Sequence, residues 1–468
     1  MSSRFTVPAA ALLLAMLAGC ASFSPDGGVA RVSTLSSERV GHGVERDSQQ
    51  TRARVDALLA EPLSVDAAVQ VALLNNKRLQ VALAELGIAE ADLVQAGLLR
   101  NPKFSFGRLS GDGGVEIDRS VMLDLGGLLT MPLRRAIEQQ RFQGAQLQSA
   151  LQVVRVAADT RRAWYQAVAA EQSLSYLKQA ELAAEASAEL GQRMASVGNW
   201  NRLDEAREQV FYAEISAQRL RAEHVASAAR ERLVRLLGLS SSGPALRLPD
   251  RLPSLPSQLQ PPGQIEQLAL AQRLDVKLVA METQFTARTL GLTRTTRFVN
   301  VLELGYQNSS ASGESRADGY EVELSLPLFD WGTARVRRAE AIYLRALQRT
   351  TDVAVQARSE VREGDSLLRT QYEVARRYRD EIVPLRKKMS DETLLRYNGM
   401  LISVFELLND ARAQIASVSA AIDAQRDFWI ADSDLQFAIH GGSVVSVLPP
   451  ISSPASLPHP AATAAPAH

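Results

Sequence analysis

The chain has 468 residues and one cysteine, and its 52 Lys plus Arg are balanced by 52 Asp plus Glu. Zero formal charge argues against the basic surface of a nucleic-acid binder, and a lone cysteine excludes both an intramolecular disulfide framework and a Cys-based zinc cluster. Hydrophobic residues make up 46%, enough for a large core, while aromatics are only 5% and helix formers dominate, which argues against an all-β protein.

Residues 1–20 read MSSRFTVPAAALLLAMLAGC, with Arg4 the only charge and an apolar run from Ala9 to Ala18. That run is too short for a bilayer, which takes ~20 apolar residues, and has the length of a secretory signal core. It ends Leu17-Ala18-Gly19-Cys20 on the sole cysteine. This ending resembles the lipobox of bacterial lipoproteins. The resemblance implies a signal peptide over residues 1–19 and acylation of Cys20, palmitate included. Ala21 and Ser22, rather than an Asp, then favour the outer membrane. No other apolar run approaches the length of a transmembrane helix. Residues 20–62 are assigned as a lipidated N-terminal extension.

The remainder reads as two copies of one plan. Asn76-Lys77-Arg78-Leu79 has its counterpart in Arg273-Leu274-Asp275-Val276, and Phe104-Ser105-Phe106-Gly107 in Leu302-Glu303-Leu304-Gly305. Val121-Met122-Leu123-Asp124-Leu125 matches Val322-Glu323-Leu324-Ser325-Leu326, and the run ending at Gly198 matches Arg396-Tyr397-Asn398-Gly399. The first copy is assigned to residues 63–239 and the second to 264–440. A Pro-rich linker over 240–263 separates them, and a flexible Pro/Ala/Ser tail follows over 441–468.

In each copy a helix is expected first, over 64–97 and over 263–297, followed by two strands. The second strand of the first copy alternates Val115, Ile117, Arg119, Val121, Leu123 with Glu116, Asp118, Ser120, Met122, Asp124; Tyr320, Val322, Leu324 alternate with Glu321 and Glu323 in the second copy. Period-two alternation gives one apolar and one polar face. Either several chains pool such strands in lipid, or the sheet is a small soluble cover over helix ends. Phe104, Phe106, Tyr306 and Tyr320 fit either an aromatic interface belt or ordinary strand propensity. A long helix follows, over 134–197 and over 335–398, each ~96 Å at 1.5 Å per residue. Pro384 should kink or unwind the second one. A further helix closes each copy.

Gly198 and Gly399 follow the long helices as left-handed C′ glycines do. Arg193 and Arg396 stand in the last turns, and Asp204 and Glu406 open the next helices, where each charge suits the helix dipole. These residues read either as helix punctuation or as a gate, with a ring of carboxylates that favours cations and pairs with arginine on closure. Trp200 sits at the first turn, placed to touch a partner. Phe329 and Trp331 are expected to pack the strand-to-helix bend, which also holds Pro132, Pro327, Asp330 and Gly332.

At these residues the sequence resembles the TolC-type outer-membrane efflux channel family. Leu326-Pro327-Leu328-Phe329-Asp330-Trp331-Gly332, followed by Arg335 and Arg338, resembles the family's passage from last strand to long helix. The first copy shares Leu123-Asp124-Leu125 but carries Pro132 later. Arg396-Tyr397-Asn398-Gly399 with Glu406-Leu407-Leu408 resembles the periplasmic tip turn, with Ser403 one residue later than usual. The resemblance spans about residues 62–440. It implies a mainly α protein with a small β part, duplicated as helix–strand–strand–helix–helix. It also implies a homotrimer whose twelve strands form one transmembrane β-barrel, continued by a long periplasmic α-helical barrel. The implied partners are outer-membrane lipid, a periplasmic membrane-fusion adaptor and an inner-membrane transporter of the resistance-nodulation-division class. The implied function is a passive exit duct of a tripartite efflux system, opened at its tip.

Neither a phosphate loop, a metal-spaced His pair nor a Gly-x-Ser-x-Gly elbow occurs, so no enzyme activity, metal or cofactor is expected. Two alternatives stay open. One is the outer duct of a type I protein-secretion system; the other is an adaptor-type coiled-coil lipoprotein.

Overall fold

The computed structural model describes residues 22–46, 48–111, 114–239, 246–259, 263–296, 302–313, 315–324 and 328–443. Cys20, Pro327 and most of the expected tail lie outside the described residues.

Helix-forming sequence yields eleven α-helices among the described residues. Two N-terminal helices, α1 (Val29–Val40) and α2 (Gln49–Leu59), lead into α3 (Val65–Asn75) and α4 (Lys77–Ala96). Strands β1 (Lys103–Gly111) and β2 (Gly114–Asp124) follow, then α5 (Leu125–Ser196) and α6 (Arg202–Leu237). Next come α7 (Ile265–Gln272), α8 (Leu274–Thr295), β3 (Leu302–Ala311) and β4 (Ala317–Leu324). The chain ends in α9 (Thr333–Arg377), a π-helical turn over Tyr378–Ile382, α10 (Val383–Asn398) and α11 (Val404–His440).

Helix α5 runs 72 residues, or ~108 Å, and forms the spine of the molecule. Its middle is apolar on most sides, with Ala150, Val153, Ala157 and Val168 fully buried. Trp164 packs edge-on against Tyr165, which stacks on Trp429 of α11 at 5.4 Å. Phe428 and Tyr372 continue this aromatic row onto α9. Thus Trp164 and Trp429 fill helix seams. The N-terminal segment shares the same core through Val32, Leu35, Val55 and Leu59, and Trp164 Nε1 donates to Leu63 O at 2.8 Å. The extension is therefore a packed part of the body. The connector 246–259 is non-helical and pinned: Leu252 and Leu255 are buried, and Tyr372 Oη donates to Pro256 O and Ser257 O.

Each helix expected ahead of a strand pair is interrupted. Asn76 breaks the first: its backbone is extended, its Oδ1 accepts from the N–H groups of Arg78 and Leu79, and its Nδ2 donates to Leu236 O at the end of α6. An amide that both caps a new helix and closes a neighbouring one is satisfied only if the chain bends there. Arg273 breaks the second at the corresponding point. Its side chain is 1% exposed and is held by Asp275 at 2.9 Å and Glu360 at 2.6 Å. The two sequence motifs aligned above are these two breaks.

Pro384 has the anticipated effect in a specific form. It lacks an N–H for the carbonyl four residues back, and its ring clashes with that carbonyl. The π-helical turn over Tyr378–Ile382 widens the ladder just before it, and α10 restarts with proline in its first turn.

The four strands form one antiparallel sheet in the order β1-β2-β3-β4. Register stacks Phe104, Val121, Tyr306 and Tyr320 in one row, and Leu123, Leu304 and Val322 in the next, on the same face. That face is open: Phe104 is 68%, Tyr320 86% and Val322 64% exposed. The opposite face carries Glu116, Asp118, Asp124, Glu303, Glu321 and Glu323 against Lys103. Each strand is thus two-faced, as its alternation predicts, and both β1 and β4 are edges within the described residues.

Candidate functional site

Two places concentrate unusual features: the turns where the long helices reverse, and the junction between sheet and helices.

At the first turn, Gly198 takes a left-handed backbone (φ 80°). Asn199 N bonds to Met194 O, and Gly198 N bonds to Ala195 O, which closes the helix as a Schellman motif. At the second turn the same pattern runs from Leu401 N to Arg396 O and from Met400 N to Tyr397 O. The left-handed residue there is Met400 (φ 58°), not Gly399, whose φ is −80°. The expected role of Gly399 is corrected: the tips align Gly198 with Met400, one residue later than the glycine match suggests. The late position of Ser403 reflects the same extra residue.

Asn201 caps α6 by accepting from Asp204 N at 2.9 Å, and Asp204 in turn accepts from Asn201 Nδ2 and from Arg207. Ser403 caps α11 by accepting from Glu406 N. Arg193 pairs with Glu189 and Arg396 with Glu392, each one turn back on its own helix. Within the protomer these arginines therefore do not pair with Asp204 or Glu406. Asn201 and Ser403 cap the helices at the tips, as side chains within one turn of a helix end reach its free N–H groups first.

Trp200 does not project from the tip. It packs on Phe405 of the other tip, ring centroids 4.7 Å apart, and lies against Gly191 of α5. It therefore ties the two turns together. About two helical turns further in lies a buried charge that linear patterning does not single out. Glu208 of α6 is 2% exposed; it accepts from Ser187 of α5 at 2.7 Å and from Arg412 of α11 at 2.9 Å. The Arg412 guanidinium also lies over the Phe211 ring at 4.3 Å. This is a charge-assisted link between two hairpins whose residues stand 204 apart in sequence. No spacing rule reaches across that separation.

At the junction, the strand-to-helix bend of the first half is at Asp124, which caps α5 by accepting from Gly127 N at 2.5 Å. Pro132 is not at the bend; it lies inside α5. Thr130 donates to Gly126 O, and Arg134 donates to Gly127 O and to Thr130 Oγ1, so side chains tie the first turn of α5 ahead of the proline. In the second half, Asp330 Oδ1 accepts from Gly332 N at 2.8 Å, and Gly332 (φ 71°) starts α9 from a left-handed conformation. Phe329 and Trp331 do not pack the bend. They are 99% and 59% exposed. Among the described residues, no group of three or more His, Cys, Asp or Glu is placed to hold a metal ion, and no helix is long and apolar enough to cross a membrane.

No protein-family model matches the chain, and no curated protein matches it. Solved structures do. The outer-membrane channel OprN is 18% identical with a TM-score of 0.69, over 87% of this chain and 95% of its own. The outer membrane protein VceC of Vibrio cholerae is 16% identical with a TM-score of 0.67, over 81% and 96%. The MtrE outer membrane channel of Neisseria gonorrhoeae, in its open state, is 18% identical with a TM-score of 0.61, over 81% and 89%. The chain has the fold of these outer-membrane channels. The TolC-type resemblance is borne out in that fold: a mostly helical body with one small antiparallel sheet. In the channel fold, the open sheet face and the paired helix turns mark opposite ends of one molecule.

Proposed function

We propose that the chain is one subunit of a trimeric outer-membrane efflux duct. The carrying observation is the sheet: its apolar face is exposed and both edges are free among the described residues. Four strands cannot close a barrel, and open edges do not persist in lipid. Three copies supply twelve strands. Their apolar faces then meet lipid, their acidic faces line water, and the ~108 Å helices enclose a tunnel on the periplasmic side.

On this reading the chain is a duplication of residues 63–239 and 264–440 joined by the linker 240–263. The equivalent helix breaks at Asn76 and Arg273 support it. Cys20 is the lipidation site after removal of residues 1–19, and residues 441–468 form a tail. The duct performs no chemistry. A periplasmic adaptor and an inner-membrane transporter of the resistance-nodulation-division class open its tip, and Asp204 and Glu406 form the carboxylate rings at the entrance. The Glu208–Arg412 link restrains that opening, because separation of the hairpins exposes a buried ion pair. The outer duct of a type I protein-secretion system shares this fold; cargo assays separate the two.

The test uses the full chain expressed with its signal peptide. A heat-modifiable trimer in outer-membrane fractions, with ion conductance in planar bilayers, is expected. A monomer that never conducts refutes the reading and favours an adaptor-type lipoprotein. Metabolic labelling with palmitate should be lost in Cys20→Ser.

A further inference from the structure

Both arginines of the four strands lie on the sheet's apolar face, and the carboxylate-bearing face has Lys103 but no arginine. The register sets Arg119 between Phe106 and Asn308, with Asp318 beyond Asn308 in the same row. Arg108 stands opposite Ile117, one row further from the helices, and Val115 follows on the same face. Both arginines are exposed. Arg119 donates to Asn308 Oδ1 at 3.3 Å, and among the described residues neither arginine makes an ion pair. A lipid-facing guanidinium without an anion is strongly disfavoured, less so towards the interface. Position on the strands places these two near that interface. From Leu302 to Asn308, level with Arg119, is six residues, and to Ser310, level with Ile117 and Arg108, is eight. At ~3.4 Å per residue those are about 20 and 27 Å along the strand. A barrel tilt of about 40° reduces them to about 16 and 21 Å, within an apolar band about 25 Å tall. Arginine stems snorkel, so both head groups reach the outer edge of the band.

Arg108 and Arg119 are diagonal neighbours on paired strands, about 7 Å apart at their bases, close enough for two guanidinium forks to share one phosphate. Resting on the channel reading, we infer that they form a phosphate site for the phosphorylated glycolipid of the outer leaflet, one site per chain. The hairpin end lies opposite the helices, so on that reading it faces the cell exterior. Asn308 and Asp318 complete the site by binding sugar hydroxyls. Asp318 Oδ1 already accepts from Asn308 Nδ2 and Tyr306 Oη, which fixes the carboxylate beside the arginines. A carboxylate accepts from hydroxyls and repels phosphate, so its place in this row favours a sugar headgroup over a plain phospholipid.

The test titrates the full-length trimer in detergent with lipid A, with the same lipid A stripped of its phosphates, and with phosphatidylglycerol, read by native mass spectrometry. Lipid A is expected to half-saturate at a concentration at least about fivefold below either comparator at low salt, with one bound per chain. That gap should shrink as salt rises. In Arg108→Gln/Arg119→Gln, lipid A should bind no better than its phosphate-free form while conductance persists. An unchanged preference in this variant overturns the assignment of the two arginines. Phosphatidylglycerol that binds as well as lipid A overturns the glycolipid. Displacement of lipid A by inorganic phosphate at matched ionic strength reveals a free-anion site and also overturns it. Should the double variant fail to assemble, the three lipids and the salt series on the unaltered protein still decide. A trimer that conducts without these preferences fails this inference alone; a chain that never conducts fails the channel reading itself.

Discussion

At Met400 a β-unbranched but bulky residue holds a left-handed backbone, a conformation that costs a non-glycine residue about 1–2 kcal/mol. Met400→Gly relieves that strain but adds unfolded-chain entropy, so a gain of up to about 1 kcal/mol is expected in thermal or denaturant unfolding. Gly399→Ala should be neutral or stabilising, because its φ is ordinary and an added Cβ meets nothing closer than 3.5 Å. Gly198→Ala should cost about 1 kcal/mol. If Gly399→Ala proves the costly one, the tip alignment given above is wrong. Glu208 behaves differently, since it is a charge taken out of water. Glu208→Ala strands Arg412 and should cost roughly 3 kcal/mol, with a coupling of about 1–3 kcal/mol in a cycle with Arg412→Ala. Higher bilayer conductance in either variant is the expected functional sign. His440 offers a pH signature. Burial, with Arg39 and Arg161 nearby, holds its imidazole below the usual histidine range. The fold thus favours neutral histidine, and its contribution is present above the ordinary histidine pKa and lost as pH falls through the acid range. Melting of the native protein should fall from pH 7 to pH 5 relative to His440→Gln; parallel curves would dismiss the effect.

Elements show where local rules suffice. Strand alternation follows from a two-residue repeat, so the apolar and polar faces were legible residue by residue, and the sheet kept them. The helices before each strand pair were legible as helical but not as broken. Asn76 and Arg273 act on partners 160 and 87 residues away, which no window of neighbours contains. Asn76→Ala removes the cap and the bond to Leu236 O, and should lower stability by about 1–2 kcal/mol with most of the fold retained. Proline position is a partial guide. Pro384 announced an irregular turn and the structure has one; Pro132 suggested a bend, yet the cap at Asp124 had already turned the chain eight residues earlier. On the sheet, Val322→Glu places a carboxylate on the apolar face in each copy. Loss of the heat-modifiable trimer with far-ultraviolet helicity unchanged is the expected result, and a normal trimer would show that this face does not meet lipid.

For the whole molecule, sidedness of charge has a consequence. The chain is neutral overall, but the polar sheet face is acidic, with six carboxylates against Lys103. In a barrel of three chains that face lines the lumen, so reversal potentials in a salt gradient should show cation preference. Glu321→Gln/Glu323→Gln should reduce it; Asp204→Ala/Glu406→Ala tests the tip separately. If neither pair changes selectivity, the fixed charges that set it lie elsewhere.

The sequence by itself determined the rods, the two-faced strands and the helix ends, because each is written in spacings of two to four residues that neighbouring side chains enforce. Only the tertiary structure decided which residue closes the second tip, that Trp200 stacks on Phe405, that Glu208 meets Arg412, and that Phe329 and Trp331 stand free. The Trp200–Phe405 and Glu208–Arg412 contacts depend on elements about 200 residues apart arriving side by side. Such meetings are selected by burial and charge pairing in space, and they leave no period in the chain.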